Sequence, residues 1–256
     1  MSQIFVKINK NLYNIYMEQT IYIEKISFDK TDFVNENLNP YSIFKAFTHM
    51  ATKHAEILGV GFEQMIKKNL LWVTMRTKYE IVGNIAPCQT YEITTFPQSK
   101  NMLEFDRDFL LKDLSGNILL RGTSKWCVID SKTRRIARTS AIELPCADIK
   151  PVFDEKFLKT EAFVPQTAPD FSYQVVSDDI DSNGHMNNSI YARIVFDALR
   201  LGKNKEIKTF QLNFLHEAML SNRIDLYTKQ TQEGICVVGK LCEAENCFTA
   251  LVKFKD

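Results

Sequence analysis

Glycine is scarce in this sequence, with 9 residues among 256, and none of them falls in a familiar glycine-dependent motif. The chain contains no G-x-G-x-x-G, no G-x-x-x-x-G-K-[ST] and no G-x-S-x-G. Those glycines form the backbone cradle around phosphates and the sharp turn that exposes a hydrolase serine. Their absence argues against nucleotide binding through such loops and against a serine hydrolase of the nucleophile-elbow type.

Excess charge, long apolar runs and closely paired cysteines are also missing. The 32 Lys and Arg residues balance the 31 Asp and Glu residues, so net charge gives no reason to expect nucleic acid binding. No apolar run is long enough to span a bilayer, and the first 19 residues lack the layout of a secretory signal. The six cysteines include no C-x-x-C pair, which favours reduced thiols over a disulfide or zinc framework. We expect a cytoplasmic protein without metal or other cofactor that binds neither membranes nor nucleic acid.

Hydrophobic residues make up 45% of the chain and charged residues 25%, which is typical of a globular protein with a sizeable core. A first helix is predicted after Asn39-Pro40, because Asn can cap a helix and Pro suits its first position. Apolar residues recur at helical spacing from Ile43 to Leu58, and Gly59 suits the helix end. The predicted extended segments around this helix are 20–28, 71–81, 90–96, 102–112 and 118–129.

The second half of the chain repeats this order. An extended run at 171–176 precedes a helix predicted over 188–201, which Asn187 or Asn188 can cap and which Gly202 can end. The strands predicted after this helix are 207–216, 223–228, 235–242 and 248–254.

Each half therefore contains one strand, one long helix and about four strands that must pair antiparallel. This pattern predicts an α+β fold in which a curved antiparallel sheet wraps a helix in each half. We expect an N-terminal repeat at 17–143 and a C-terminal repeat at 168–256. The segment 144–167, which contains three prolines and little periodicity, is the predicted linker.

The loops before the two helices also correspond. The first loop, 33–40, has the sequence F-V-N-E-N-L-N-P, and the second, 181–188, has the sequence D-S-N-G-H-M-N-N. Asparagines at the third and seventh positions are shared, whereas Phe and Asn in the first loop replace Asp181 and His185. Asp181 and His185 are therefore titratable residues that only the second loop has. This difference suggests that one ancestral domain was duplicated and that the two copies then took different functions.

The segment 181–191, D-S-N-G-H-M-N-N-S-I-Y, carries the most informative chemistry. Backbone N–H groups at a helix start can bind developing negative charge, Asn183 can donate an amide hydrogen bond and His185 can titrate near neutrality. We interpret Asn183 and His185 as functional and Asn187 as a structural helix cap. A calcium loop beginning at Asp179 is disfavoured, because its twelfth position would hold an isoleucine instead of a bidentate carboxylate.

The pattern D-x-N-x-H-x-N-N-x-x-Y, with the doubled order of elements, resembles the acyl-acyl-carrier-protein (acyl-ACP) thioesterases. G-V-G at 59–61 and W-C-V-I-D at 126–130 add to a resemblance that covers nearly the whole chain from about residue 17 onward. The resemblance implies two tandem hot-dog domains, the N-terminal one shaping the acyl pocket and the C-terminal one carrying the catalytic groups. It implies a thiolester hydrolase of fatty acid biosynthesis, which releases free fatty acid from acyl carrier protein and so ends chain elongation.

The family's site residues, carried over by resemblance, fall on Asp181, Asn183 and His185, and its essential Glu falls on Glu217 in the strand after the second helix. Plant members have a Cys after this Glu, whereas this sequence has Ala218. The resemblance therefore implies attack by water and excludes a Cys–His covalent mechanism at this position.

In the implied mechanism, Glu217 is the general base or holds the attacking water together with Asn183. His185, which Asp181 holds in place, polarises or protonates the thioester. Amides at the start of the second helix help to stabilise the oxyanion. The sequence leaves open whether the roles of Glu217 and His185 are exchanged. In the first copy, Asn84 lies near the position equivalent to Glu217.

Several questions stay open at this point. A hot-dog acyl-CoA thioesterase and a non-catalytic acyl-binding protein are the alternatives to the acyl-ACP thioesterase. A basic run formed by Lys132, Arg134, Arg135 and Arg138 either steers an acidic carrier protein or is a solvated loop. Two fused repeats could serve as a pseudo-dimer, so a monomer and a homodimer are both compatible with the sequence.

Overall fold

The computed structural model describes residues 20–255, apart from 155–156, 159, 161–162, 182, 203–204 and 242–244. The expected start of the first repeat, 17–19, and Cys242 lie outside the described residues. Among the helices of the described residues, none combines the length and the apolar character that crossing a bilayer requires.

The first part of the chain forms a long helix followed by four long strands. Its elements are β1 (Tyr22–Ser27), β2 (Phe33–Val34), β3 (Asn37–Leu38), α1 (Pro40–Ile57), α2 (Phe62–Lys67), β4 (Leu70–Ile81), β5 (Thr90–Lys100), β6 (Phe105–Lys112) and β7 (Ile118–Asp130). Asn39 caps α1 by accepting the N–H of Tyr41 at 2.9 Å, and Gly59 follows its end with φ +71°. Both ends of α1 are therefore confirmed, whereas the short helix α2 was not predicted.

The second part repeats the order of one strand, one helix and four strands. Its elements are β8 (Phe171–Gln174), α3 (Asn188–Leu199), β9 (Ile207–Phe214), β10 (Arg223–Thr231), β11 (Gly234–Leu241) and β12 (Glu245–Phe254). Asn187 caps α3, as predicted, by accepting the N–H of Ser189 at 2.9 Å. The predicted end of this helix at 201 is wrong, because Arg200 adopts the left-handed conformation (φ +46°) and its N–H bonds to the Asp197 carbonyl.

Ten strands of the described residues form one antiparallel sheet in the order β1-β5-β6-β7-β4-β9-β12-β11-β10-β8. The order is symmetric, since each strand of the first part has its counterpart at the same distance from the centre. At the centre β4 pairs with β9, with Arg76 opposite Asn213 and Glu80 opposite Thr209. Two five-stranded halves are thus joined edge to edge, and the predicted α+β class is confirmed.

Both long helices pack on one face of this sheet and against each other. Phe47 of α1 stacks on Phe109 at 4.1 Å between ring centroids, and Tyr79 of β4 stacks on Phe210 of β9 at 5.7 Å. Burial of each such ring contributes about 2–3 kcal/mol. Gln211, adjacent to Phe210, points to the opposite face, where it exchanges two hydrogen bonds with the backbone of Leu158. In the segment between the halves, Leu158 therefore lies on the face that the helices leave open.

Candidate active site

Glu217 lies three residues beyond the end of β9, and not within that strand as the sequence predicted. The strand stops at Phe214 because the N–H groups of Leu215 and His216 both turn to the carbonyl of Cys247, at 2.9 and 3.0 Å. The end of the sheet therefore delivers Glu217 on a loop whose start is tied to β12.

Hydrogen bonds on both sides of Glu217 hold this loop. On one side, the thiol of Cys247 donates to the carbonyl of His216 at 3.2 Å. On the other, the N–H of Ala218 donates to the hydroxyl of Tyr191 at 2.9 Å, and its carbonyl accepts a backbone N–H from the loop before α3 at 2.8 Å. The backbone position of Glu217 is therefore set by α3 and β12, independently of what its own side chain contacts.

His185 stands at the end of a tight turn that begins at Asp181. The Asp181 carboxylate accepts the N–H of Asn183 at 2.8 Å, and its backbone exchanges bonds with the N–H of Gly184 at 3.0 Å and the carbonyl of His185 at 2.9 Å. Gly184 has φ +83°, a left-handed conformation that glycine adopts without strain. Asp181 and Gly184 together shape the turn that carries Asn183 and His185.

The two loops meet where Glu217 contacts His185. Glu217 Oε2 lies 3.1 Å from Nε2 of His185 and 2.5 Å from Nη2 of Arg134. The His185–Glu217 contact is a salt bridge when the imidazole is protonated. The imidazole is 21% exposed and the carboxylate 40%. Within the described part of the chain, no hydrogen bond reaches the second carboxylate oxygen, Oε1.

Asp181 and Asn183 lie near the Glu217–His185 pair, but Asp181 does not hold His185 as the sequence predicted. No contact between the Asp181 carboxylate and the His185 ring occurs among the described residues, because that carboxylate bonds to the turn backbone and Glu217 takes the imidazole instead. The Asn183 side chain has no hydrogen bond to any residue of the described ranges, and it lines the same cavity as His185 and Glu217. Its amide therefore remains available to a ligand.

The N-terminus of α3 offers one backbone donor to this cavity. Its cap, Asn187, takes the N–H of Ser189 with its side chain and the N–H of Ile190 with its carbonyl, both at 2.9 Å. The N–H of Asn188 has no hydrogen-bond partner among the described residues, and Asn188 lines the cavity. The sequence predicted that several backbone amides of this helix start would stabilise the oxyanion. Because capping occupies the others, only the N–H of Asn188 is left for that role among the described residues.

A cavity of about 610 Å³ connects these polar groups with the interior of the first half. Asp181, Asn183, His185, Glu217 and Arg134 line one part of it. Elsewhere its wall is largely apolar, with side chains from α1, β4, β6, β7 and the α1–α2 region such as Ala55, Val60, Met65, Trp72, Phe105 and Trp126. The polar side chains of Thr48, Thr52, Thr74, Asp106 and Arg107 also line this part. The volume lies within the range of pockets that bind small molecules.

The first half has a counterpart of the Glu217 loop without its acid–base groups. The N–H groups of Val82 and Gly83 both donate to the carbonyl of Leu119, at 2.9 and 3.0 Å, just as two N–H groups converge on one carbonyl before Glu217. The residue that follows is Asn84. The same backbone bend therefore ends in an amide in one half and in a carboxylate in the other.

The counterpart of the His185 turn has become a structural contact. Asn37, which aligns with His185, is buried; its side chain donates to the carbonyl of Lys205 and accepts the N–H of Ile207, both at 2.8 Å. Asn35 donates to the carbonyl of Leu201 at 2.8 Å. This turn holds the connection between α3 and β9, a role that does not require a titratable group.

The cysteine and tyrosine beside the Glu217 loop are kept neutral. Burial raises the pKa of the Cys247 thiol to about 12 and raises the pKa of the Tyr191 hydroxyl above its ordinary value. Ala218, the residue that follows Glu217, is fully buried. Cys247 therefore acts as a hydrogen-bond partner of the loop, and its pKa is raised, whereas a thiol nucleophile has a lowered pKa.

Asp179, the first residue of the disfavoured calcium pattern, is occupied by protein partners. Its carboxylate accepts hydrogen bonds from the Tyr173 hydroxyl at 2.7 Å, the Val176 N–H at 3.0 Å and the Arg193 guanidinium at 3.0 Å. Across the described ranges, no three metal-ligating side chains come together.

Arg134 is the residue of this site whose place the sequence did not reveal. In the sequence Arg134 is one cation of a basic run, but in the structure it contacts Glu217, which is 83 residues away in the chain. The contact forms because β4 has β7 on one side and β9 on the other. Arg134 follows β7 and Glu217 follows β9, so their loops are neighbours. Only the pairing of β4 with β9 brings these loops together, and no local motif encodes that pairing.

Solved structures with the same architecture cover nearly the whole chain. An acyl-ACP thioesterase from Bacteroides thetaiotaomicron matches with a TM-score of 0.81 and 21% identity over 93% of this chain and 99% of that one. The 12:0-ACP thioesterase from Umbellularia californica matches with a TM-score of 0.78 and 19% identity, over 92% of this chain and 97% of that one. These likenesses confirm the predicted tandem hot-dog fold.

Sequence comparison identifies the family. The model of the acyl-ACP thioesterase N-terminal domain matches residues 18–141, and that of the acyl-ACP thioesterase C-terminal domain matches residues 165–251. The chain therefore belongs to the acyl-ACP thioesterase family.

Several curated relatives are plant proteins. Oleoyl-acyl carrier protein thioesterase 1, chloroplastic, of Arabidopsis thaliana is 26% identical over 220 residues, which make up 78% of this chain and 60% of that protein. Dodecanoyl-[acyl-carrier-protein] hydrolase, chloroplastic, of Umbellularia californica is 28% identical over 223 residues, 79% of this chain and 58% of that protein. The chain spans about three fifths of the length of these relatives.

Proposed function

We propose that this protein hydrolyses the thioester bond of fatty acyl-ACP, which releases the free fatty acid and ends chain elongation in fatty acid biosynthesis. The observation that carries the proposal is the 3.1 Å contact between Glu217 Oε2 and His185 Nε2 beside a cavity with a largely apolar wall. Thioester hydrolysis needs a positioned water, a group that accepts its proton and an apolar space for the acyl chain. Membership of the acyl-ACP thioesterase family supports the choice of carrier.

Glu217 is the general base in this proposal. Its Oε2 is held by Arg134 and His185, while Oε1 is free to accept a proton from water. The water oxygen attacks the thioester carbonyl carbon, and the Asn183 amide and the Asn188 N–H donate to the oxygen that becomes negative. The carbon–sulfur bond then breaks, and Glu217 returns the proton to the leaving sulfur.

The two halves divide these tasks between them. The repeat at 168–256 supplies Asp181, Asn183, His185 and Glu217, with Asp181 ordering the turn that presents the other two polar groups of its loop. The repeat at 17–143 supplies the apolar wall that takes the acyl chain. Because one chain contains both parts, the proposed reaction requires no second copy.

The surface beside the cavity fits an acidic carrier protein. Lys132, Arg135 and Arg138 are exposed, and their side chains form no ion pair with a carboxylate of the described residues. They share a loop region with Arg134, which lines the cavity. Cations at this position would steer a negatively charged carrier toward the site. We place this encounter in the cytoplasm, because the cysteines of the described ranges are free thiols.

Thiol release from a panel of acyl chains, each supplied on ACP and on CoA, tests the proposal. We expect turnover of acyl-ACP, and we expect Glu217→Gln and His185→Ala to lower kcat by about 100-fold to 10,000-fold. His49→Ala is the matched control, since His49 pairs with Glu24 on the surface and does not line the cavity. Its kcat should stay near that of the unmodified protein.

Three outcomes would contradict the proposal. Near-normal turnover in both variants would remove Glu217 and His185 from the mechanism. Preference for the CoA thioester of every chain would identify an acyl-CoA thioesterase. Tight binding of acyl chains without thiol release would identify a non-catalytic acyl-binding protein.

A further inference from the structure

Arg134 reaches the Glu217 carboxylate from the half of the molecule that has no acid–base groups of its own. Its Nη2 lies 2.5 Å from Glu217 Oε2, the same oxygen that lies 3.1 Å from His185 Nε2. We infer that Arg134 is a positioning residue, which fixes the orientation of the Glu217 carboxylate so that Oε1 faces the attacking water. The inference rests on the proposed function.

The turn that presents Arg134 is built by local hydrogen bonds. Asp130, the last residue of β7, accepts the N–H groups of Lys132 and Thr133 with its carboxylate, at 3.0 and 2.7 Å, and its carbonyl accepts the N–H of Arg134 at 2.9 Å. The hydrogen bonds to the carboxylate, first from Thr133 and then from the Lys132 N–H, hold the pKa of Asp130 below its ordinary value. The direction in which Arg134 leaves the sheet is therefore determined by the turn itself.

Arg134 has a strained backbone within this turn. Its φ is +57°, in the left-handed region, which costs a residue with a Cβ about 1–2 kcal/mol. The next residue, Arg135, does not have a positive φ. Strain of this kind tends to persist where the surrounding structure requires a particular side-chain direction. Here that direction leads to Glu217.

The ion pair is better suited to orientation than to stability. The Arg134 side chain is 47% exposed and that of Glu217 is 40% exposed, and exposed pairs contribute about 0–1 kcal/mol to folding. Without Arg134, the carboxylate would keep only the His185 contact and could exchange its two oxygens by rotation. A misplacement of about 1 Å in a reacting group can lower a rate by about 100-fold.

Carrier docking is the competing role for Arg134, because Lys132, Arg135 and Arg138 lie on the same loop region. Docking and positioning differ in the substrate they require. A docking cation matters only when the acyl group is attached to a carrier protein. A positioning cation matters equally for a small acyl-pantetheine thioester, which has no carrier surface.

The experiment therefore measures kcat and KM separately for acyl-ACP and for the matching acyl-pantetheine, using Arg134→Gln, Arg134→Lys and the control Arg135→Gln. We expect Arg134→Gln to lower kcat about 10-fold to 100-fold on both substrates, with Arg134→Lys intermediate. Arg135→Gln should leave kcat on acyl-pantetheine within about twofold and affect only KM for acyl-ACP. A fourth variant, Arg134→Ala, should regain part of its kcat when guanidinium ion is added at millimolar concentration. The thermal unfolding temperature of the Arg134 variants should be unchanged.

The outcomes separate the two hypotheses. If the unmodified protein releases no thiol from either substrate, the proposed function fails. If it is active and Arg134→Gln matches Arg135→Gln on acyl-pantetheine, the positioning role of Arg134 is overturned while the proposed function stands. Loss of activity that accompanies unfolding, without rescue by guanidinium ion, would also overturn it.

Discussion

The hydroxyl of Tyr191 lies 2.9 Å from the backbone N–H of Ala218, the residue that follows Glu217. Tyr191 is in the first turn of α3, the helix whose N-terminal loop carries His185. One helix start therefore orders both partners of the 3.1 Å contact between Glu217 and His185. This explains how a base on a loop beyond the sheet can keep a defined distance from an imidazole on another loop.

Replacement of Tyr191 by Phe should loosen the Glu217 loop. The change removes the acceptor of a buried N–H, and an unpaired buried donor costs about 1–3 kcal/mol. We expect a lower free energy of unfolding by that amount in urea titrations. We also expect a fall in kcat of about 10-fold with KM nearly unchanged, because the reacting group moves while the acyl pocket does not.

Tyr227→Phe is the control for this change, since the Tyr227 hydroxyl has no hydrogen bond to another described residue. It should affect neither stability nor kcat. An unchanged kcat in Tyr191→Phe would show that the hydrogen bond to Ala218 does not position Glu217.

Thiol-directed reagents should not inactivate the protein through Cys247. With a pKa of about 12, this thiol is only about one part in 10,000 thiolate at pH 8. The exposed thiols Cys88 and Cys146 are the described sites that alkylation should reach first. Peptide mass mapping of alkylated protein, read beside residual activity, checks this prediction. Inactivation that parallels the labelling of Cys247 would contradict it and would reopen a thiol mechanism.

Features set by neighbouring residues were the ones that the sequence revealed. Asn39 and Asn187 were predicted as helix caps, and both caps are present, because capping depends on a side chain and N–H groups two or three residues away. Strand alternation was visible for a similar reason, since a half-buried strand repeats its pattern every two residues. The short helix α2 escaped prediction because six residues offer less than two turns of periodicity.

The site needed information from far along the chain. Glu217 was reached only through family resemblance, and its position beyond β9 follows from bonds to Cys247, 30 residues away in the sequence numbering. Arg134 was assigned to a basic surface run, because nothing in the spacing of charges distinguishes a cation that meets a distant carboxylate from one that meets water. Both misassignments have the same physical cause, which is that long-range strand pairing decides which loops become neighbours.

The apolar wall of the cavity should determine how long an acyl chain the protein accepts. Ala55 of α1 lines the cavity, and replacing it with Leu and then Phe adds volume in two steps. Each methylene excluded from an apolar site costs about 0.8 kcal/mol, or about fourfold in kcat/KM. We expect the preferred acyl chain to shorten progressively from Ala to Leu to Phe, as measured by the fatty acids released from a graded set of acyl-ACP substrates.

Lys53→Phe provides the control, because Lys53 is an exposed residue of the same helix and does not line the cavity. It should leave the chain-length profile unchanged. Short chains should keep most of their kcat in Ala55→Phe, since Glu217 and His185 are not altered. A uniform loss over all chain lengths would indicate damage to the fold instead of a shorter pocket, and an unchanged profile would show that the acyl chain does not enter the N-terminal repeat.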